Sequence, residues 1–388
     1  MSKPTYIRYA ALLSTLSLST LTTASVLDDT KVNFSGYLKA DALISQYSDG
    51  TLGAGNLGRD FYIPSLTPVG GAEENTQFDA HIRQSRFRFT TNTALDSGEK
   101  LTGVLEFDFQ TTVDGNERVS NSYTPRVRHA FIQYNNWLIG QTWSTFQDTS
   151  ALPETLDFVG VTDGTIFVRQ TMVRYSANGF AIALENPEST ITPFGGGGRI
   201  VGDDNSMPDL AASYTMKQDW GYFKVAGLMR ELSYVNKQSG ADIDTSTNSY
   251  GINVSGKIML GQDDIRFMLN SGKGLGRYSA LNAVNGAVLD SNNELQTIDS
   301  TGISLAYRHQ WNEQWRSNVT YSALDVDNDV SLTGASATQK TSSMRVNLLY
   351  SPSKELTFGG EYTSATRELE NGQQGDMDRL QFSAMYSF

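Results

Sequence analysis

Charged residues recur at alternate positions in this sequence: Arg86 with Arg88, Glu106 with Asp108, and Arg126 with Arg128, followed by Arg174. In an extended chain, residues two apart share a face, so each pair sets two like charges side by side. A guanidinium is a planar fork of donors that grips carboxylates in a bidentate fashion, and a wall carrying one sign of charge selects the ions that pass it. Two uses of the pattern stay open. It is a basic ladder that attracts anions, or a structural set in which the arginines neutralise Glu106 and Asp108.

Other chemistry is thinly supplied. His81, His129 and His309 fall in separate segments without ligand spacing and there is no cysteine, so neither a metal set nor a thiol nucleophile is present. A barrel hydrolase pairing one histidine with a serine or aspartate is a minor alternative, and the expected reading is a protein that is not an enzyme. Asp325, Asp327 and Asp329 alternate as in a calcium loop, but Val330 and Ser336 stand where the turn glycine and the last glutamate belong, which rejects an EF-hand. The run Gly195 to Gly198 follows no strand-to-helix pattern and reads as a loop. No cofactor and no metal are implied.

The elements that position these charges are strands. Residues 1–24 carry Lys3 and Arg8, an apolar and hydroxyl-rich run, and then Thr22-Thr23-Ala24, the order of a secretory signal cut after Ala24. The expected domains are therefore a signal peptide over 1–24 and one barrel over 25–388. Later segments alternate apolar with polar residues. In the last of them Leu380, Phe382, Ala384, Tyr386 and Phe388 share one face, while Arg379, Gln381, Ser383 and Ser387 share the other. About sixteen such segments match this template, each near the ten residues a tilted strand needs to cross a bilayer. Short connections near 95–98, 135–136, 177–179, 218–221, 261–263, 311–313 and 352–354 alternate with long ones at 48–77, 111–124, 146–164, 187–207, 234–247, 274–295, 327–339 and 368–376. This rhythm predicts an all-β fold: a single transmembrane antiparallel barrel of sixteen strands, with short periplasmic turns and long extracellular loops. Trp137, Trp220, Trp311 and Trp315 sit beside short turns, as a periplasmic aromatic girdle would. Tyr386 and Phe388 end the chain like the signal read by the barrel assembly machinery.

Removing Lys3 and Arg8 leaves 28 basic against 42 acidic residues, a net charge of −14, which argues against a nucleic-acid partner. With apolar faces outward, the inward parity holds many more basic than acidic side chains, so the negative charge belongs largely to the loops. The loop after Trp143 mixes Phe146, Leu152, Leu156 and Phe158 with Glu154 and Asp157. Such a loop prefers burial, and folded into the lumen it narrows the pore opposite the arginines. A place at a subunit interface or over the rim is the alternative. His81, Arg83, Ser85 and His129 fall on the parity that should meet lipid, where charge costs about 2 to 4 kcal/mol. Either neighbouring subunits cover them or a bulge shifts the register.

The stretches FQDTSALPETLDFVG (146–160), VRQTMVRYS (168–176), ALENPEST (183–190), DDNSMPDLAA (203–212) and SGYLKADAL (35–43) together resemble the DcaP-like porin family. The motifs lie in the first half of the chain, and the second half matches in its strand rhythm. The resemblance implies a homotrimeric porin of the bacterial outer membrane, set in lipid and lipopolysaccharide and favouring small anionic solutes such as organic dicarboxylates. Carried to this chain, it assigns selectivity to the arginines of 83–88, to Arg126 and Arg128, to Arg169 and Arg174, and to the acidic loop at Glu154 and Asp157. Some members carry a helical extension before the barrel. Here only residues 25–31 separate the expected cut from the first strand, so trimerisation would rest on the barrel wall. An exported soluble β-protein that binds surface glycans is the competing class.

Overall fold

The computed structural model describes residues 29–111, 120–238 and 242–388; the expected signal peptide and its cut lie outside them. The strands are β1 (Thr30–Tyr47), β2 (Gln77–His81 continued by Arg86–Ala94), β3 (Lys100–Asp108), β4 (Arg126–Tyr134), β5 (Trp137–Trp143), β6 (Arg169–Ala177), β7 (Phe180–Glu185) and β8 (Asp209–Gln218). The second half adds β9 (Gly221–Asn236), β10 (Ile243–Leu260), β11 (Asp263–Lys273), β12 (Asp299–Gln310), β13 (Trp315–Asp327), β14 (Thr338–Tyr350), β15 (Leu356–Leu369) and β16 (Gln374–Ser387). Each pairs antiparallel with its sequence neighbour, and β1 closes on β16 from Tyr37↔Ser387 to Tyr47↔Met377. Sixteen strands thus form a closed barrel, and closure leaves no sheet edge unpaired. No described helix is long and apolar enough to cross a membrane.

Alternation explains the burial. On β14 and β16 the side chains of Met344, Val346, Leu348, Leu380, Phe382 and Tyr386 are exposed on the outer face, while Arg345, Asn347, Arg379 and Gln381 are buried inside. An apolar exterior over a polar interior is the transmembrane arrangement. All seven short turns are present where the alternation places them. The fifth and eighth loops are shorter than expected, because pairing continues to Asn236↔Ile243 and Glu368↔Gln374.

Two strands break the simple parity. Along β1, Asp41 pairs with His81 and Tyr37 with Arg86, four residues against five. The extra residue is a bulge over 82–85 that turns His81 inward, beside Asp41. On β4, Val127 faces Phe107 but His129 faces Glu106, so Arg128 is inserted and His129 also turns inward. Both histidines are buried, as is Ser85, and Arg83 pairs with Asp60 at 3.2 Å. The polar set expected to face lipid is therefore a register effect of two bulges and gives no support to a subunit contact.

The third loop (residues 144–168, L3) folds into the lumen. The fourth and sixth loops, over 186–208 and 274–298, join above it. Their segments Ser189–Thr192, Ile200–Gly202, Ala287–Leu289 and Leu295–Thr297 form a small four-stranded sheet, packed on Ile191, Leu232, Ala287, Leu289 and Leu295.

Candidate pore constriction

Strands β2, β3 and β4 bring the alternating charges onto one inner wall. The Arg126 fork closes on Asp108 with its Nε at 2.9 Å from Oδ1 and its Nη2 at 3.0 Å from Oδ2. Arg128, placed by the β4 bulge, donates to Glu106 at 2.9 Å and to Asp108 at 2.8 Å. Arg88 reaches Glu106 at 3.2 Å and Arg86 approaches it at 3.6 Å. Four guanidinium groups thus share two carboxylates. Among the described residues Arg169 joins them without a carboxylate partner, stacked on Trp143 at 4.3 Å and beside Phe167 at 5.9 Å, with one Nη buried and unpaired. Among the same residues Arg174 donates only to the Trp143 carbonyl, at 3.3 Å.

L3 is bonded to strands from β11 round through β15 and β16 to β1. The Leu156 and Asp157 N–H groups donate to the buried Glu361 carboxylate at 2.9 and 3.1 Å. The Leu156 carbonyl accepts from Lys39 at 2.5 Å and Gln381 at 2.9 Å, and that of Leu152 accepts from Arg266 at 2.5 Å. Gly164 lies flat on β12. Its N–H donates to Ser322 at 2.6 Å and its carbonyl accepts from Asn270 at 2.8 Å, and a Cβ there would sit 1.9 Å from the Ile303 carbonyl oxygen. Only glycine permits that approach.

The two acidic residues of L3 are used differently. Glu154 pairs with Arg316 through two bonds, one at 2.7 Å, and lies 3.9 Å from Arg308. Asp157 is turned into the loop, accepting the N–H groups of Tyr62, Val159 and Gly160 at 2.8, 3.2 and 3.1 Å. It is 4% exposed and presents little charge to the arginine wall. What L3 shows that wall is Phe158, whose ring lies 5.6 Å from the Arg126 guanidinium and 5.4 Å from that of Arg128.

Residues outside the expected set complete the arrangement. Tyr62 of the first loop donates to Asp163 at 2.8 Å, and Ser343 donates to the other oxygen of the same carboxylate. Burial holds Asp163 above the ordinary carboxyl range despite these donors, and burial together with Asp163 pushes Tyr62 well above the usual phenol range. Tyr278 of the sixth loop donates to Asp209 at 2.9 Å and gives its carbonyl to Phe167 N–H at 3.0 Å. Neither tyrosine carries a local mark in the sequence, since each lies in a loop that also holds other apolar residues.

A second charge cluster, on β10 to β13, mirrors the first. Lys257, Arg266 and Arg308 surround Asp264 at 3.5, 2.7 and 3.4 Å, and Arg308 and Arg316 meet Glu154. Among the described residues, no group of three or more His, Asp or Glu could hold a metal ion. Trp137, Trp220, Trp311 and Trp315 are exposed on the barrel exterior beside the short turns, whereas Trp143 packs inside with Phe167.

A closed sixteen-stranded barrel with an inward third loop and a charged lumen defines a channel of the bacterial outer membrane. The chain belongs to the DcaP outer membrane protein family, whose model matches residues 13–388. Among solved structures it is similar to the outer membrane channel DcaP of Acinetobacter baumannii, with 23% identity, a TM-score of 0.75, and coverage of 93% of this chain and 98% of that one. It is also similar in fold to OmpF of Salmonella typhi, at 11% identity, TM-score 0.56, and coverage of 93% and 98%. OmpT of Vibrio cholerae is a further fold relative, at 12% identity, TM-score 0.53, and coverage of 93% and 98%. No curated protein matches the chain.

Proposed function

We propose that this outer-membrane channel passes small hydrophilic solutes by diffusion and favours anions, organic dicarboxylates in particular. The observation that carries this is the charge balance beside L3. Eight cations, Arg86, Arg88, Arg126, Arg128, Lys257, Arg266, Arg308 and Arg316, share four carboxylates, Glu106, Asp108, Asp264 and Glu154. Arg169 and Arg174 add positive charge, and neither makes an ion pair among the described residues. Low-dielectric walls focus such a field into the lumen, and a carboxylate arriving there meets guanidinium forks of matching shape.

The same reading gives three barrels per assembly, in contact through the outer face of β1 to β3. There Phe34, Phe87, Phe89, Phe107 and Phe109 cluster with the terminal Phe388 at ring separations of 5.0 to 6.5 Å. Tyr386 and Phe388, on the outward face of β16, serve as the assembly signal, and the four exterior tryptophans form the periplasmic girdle in contact with lipid and, at the opposite rim, lipopolysaccharide. One bilayer experiment tests both parts. A reversal potential under a salt gradient should show chloride preferred over potassium, and voltage-induced closure should proceed in three equal steps. Preference for potassium would sink the anion pathway, and closure in a single step the trimer.

A further inference from the structure

Beyond the constriction, the periplasmic half of the lumen holds a cavity of about 580 Å³ between the start of L3 and the inner faces of β6 to β9, reaching down to the short turn at Asn178-Gly179. Three cations line it: Arg174, Lys217 and Lys224. Lys224 donates to the Gln147 carbonyl at 2.5 Å and Arg174 to that of Trp143 at 3.3 Å. These are neutral partners. Lys217 makes no side-chain hydrogen bond or ion pair among the described residues.

Among the described residues two carboxylates lie within reach, Asp148 in the lining and Glu185 behind the wall, and neutral donors hold both. Asp148 accepts from Tyr222 at 2.9 Å, from Ser255 at 2.7 Å and from Ser150 N–H at 3.0 Å. Glu185, behind the cavity wall, accepts from Thr145 N–H at 2.7 Å, Gln170 at 2.5 Å and Tyr278 at 3.4 Å. Three cations against these two carboxylates leave the hollow with surplus positive charge, which an entering anion would neutralise. Hydroxyls of Ser176, Ser213 and Thr215 face the same space and suit the remaining lone pairs of such an anion.

We infer that this cavity is a second anion site, an exit station for a short organic dianion, separated from the arginine wall by Trp143. That ring carries Arg169 on one side, while its own carbonyl holds Arg174, so a solute leaving the constriction passes from one guanidinium to the next. One carboxylate of the dianion lies on Arg174 and the other among the lysines. Favourable but weak successive sites are what conduction requires, since a single deep site would trap the solute. The inference rests on the proposed anion pathway.

The test uses full-length channels in a planar bilayer, with succinate added to one chamber and acetate as the monovalent comparison. Succinate from the periplasmic side interrupts the current, and acetate does so far less. Lys217→Gln, which removes no internal bond, lowers the periplasmic rate of interruption about fivefold, the effect of one charge at close range in a wet site. Ser176→Asp, which adds a carboxylate to the cavity, lowers it at least as much. The extracellular rate stays within twofold, because entry from that side meets the arginine wall first. A channel that conducts is folded, so the readout carries its own control. Potassium preference in the unsubstituted channel would remove the anion pathway itself. Chloride preference with periplasmic rates unchanged in both variants would leave that pathway standing and overturn the exit station alone.

Discussion

The two charged walls of the lumen carry the same balance and do different work. On β2 to β4, four arginines meet Glu106 and Asp108, and both carboxylates belong to one strand, β3. On β10 to β13, four cations meet Asp264 and Glu154, and Glu154 belongs to L3. The first cluster closes on itself within the rigid sheet and, among the described residues, touches L3 through the ring of Phe158. The second is completed by the loop and so fixes where the loop lies. Charge count alone therefore does not say which wall sets selectivity. The origin of the carboxylates does.

The largest effect should come from cutting L3 from β15, where Glu361 adds to the hold of the second wall. Glu361 is 2% exposed and accepts two L3 N–H groups together with Asn347 at 3.0 Å, with Arg345 at 3.9 Å. Glu361→Ala leaves a buried guanidinium and two backbone donors unmatched, a loss of roughly 3 to 5 kcal/mol. Urea unfolding in lipid vesicles should show that loss, and single-channel conductance should rise as L3 swings free. Unaltered conductance would mean that the second wall holds the loop without Glu361, and would overturn the part given to that carboxylate.

The first wall should respond in the opposite manner. Asp108→Asn removes the carboxylate that binds Arg126 and Arg128 while touching no residue of L3. Conductance should then change little, and the chloride-to-potassium ratio should rise about threefold for one added net charge in a partly screened lumen. Reversal potentials measure this directly. If Asp108→Asn instead alters conductance as strongly as Glu361→Ala, the first wall also positions the loop.

Much of this was legible before any coordinates. Strand alternation and the short-long rhythm of connections require only that side chains point to alternate faces, and they give the barrel and its order. Parity fails where the chain inserts a residue. His81 and His129 sit on the wrong face by alternation, because a bulge costs the ladder one pair and leaves no mark in an apolar-polar pattern. Parity also cannot tell a cation facing solute from one already spent. Arg266 and Arg316 lie inward like Arg126, yet they bond to L3. Which loop carbonyl or carboxylate each meets depends on the path of the loop across the lumen, and no local periodicity records that. Tyr62 and Tyr278 were hidden for the same reason, since their partners lie 101 and 69 residues away.

The smallest predicted effect sharpens the comparison through pH. Asp163 belongs to L3, and its neighbours are Tyr62 of the first loop and Ser343, Thr341 and Arg345 of β14. Its ordinary value is 3.8, and burial raises it in the fold. Between those two values the folded chain binds more protons than the unfolded one, so stability rises as pH falls through that window. Above the window the burial penalty of the charged form is present in full. Asp163→Asn cannot titrate. The difference in urea midpoint between the natural chain and Asp163→Asn should therefore move in favour of the natural chain as pH is lowered from about 8 to about 4. The chloride-to-potassium ratio should stay constant where Asp163 alone titrates, since Asp163 touches no residue of the first wall. A midpoint difference that moves the other way would show that the Tyr62 and Ser343 donors outweigh burial, and that L3 is held by a charged Asp163.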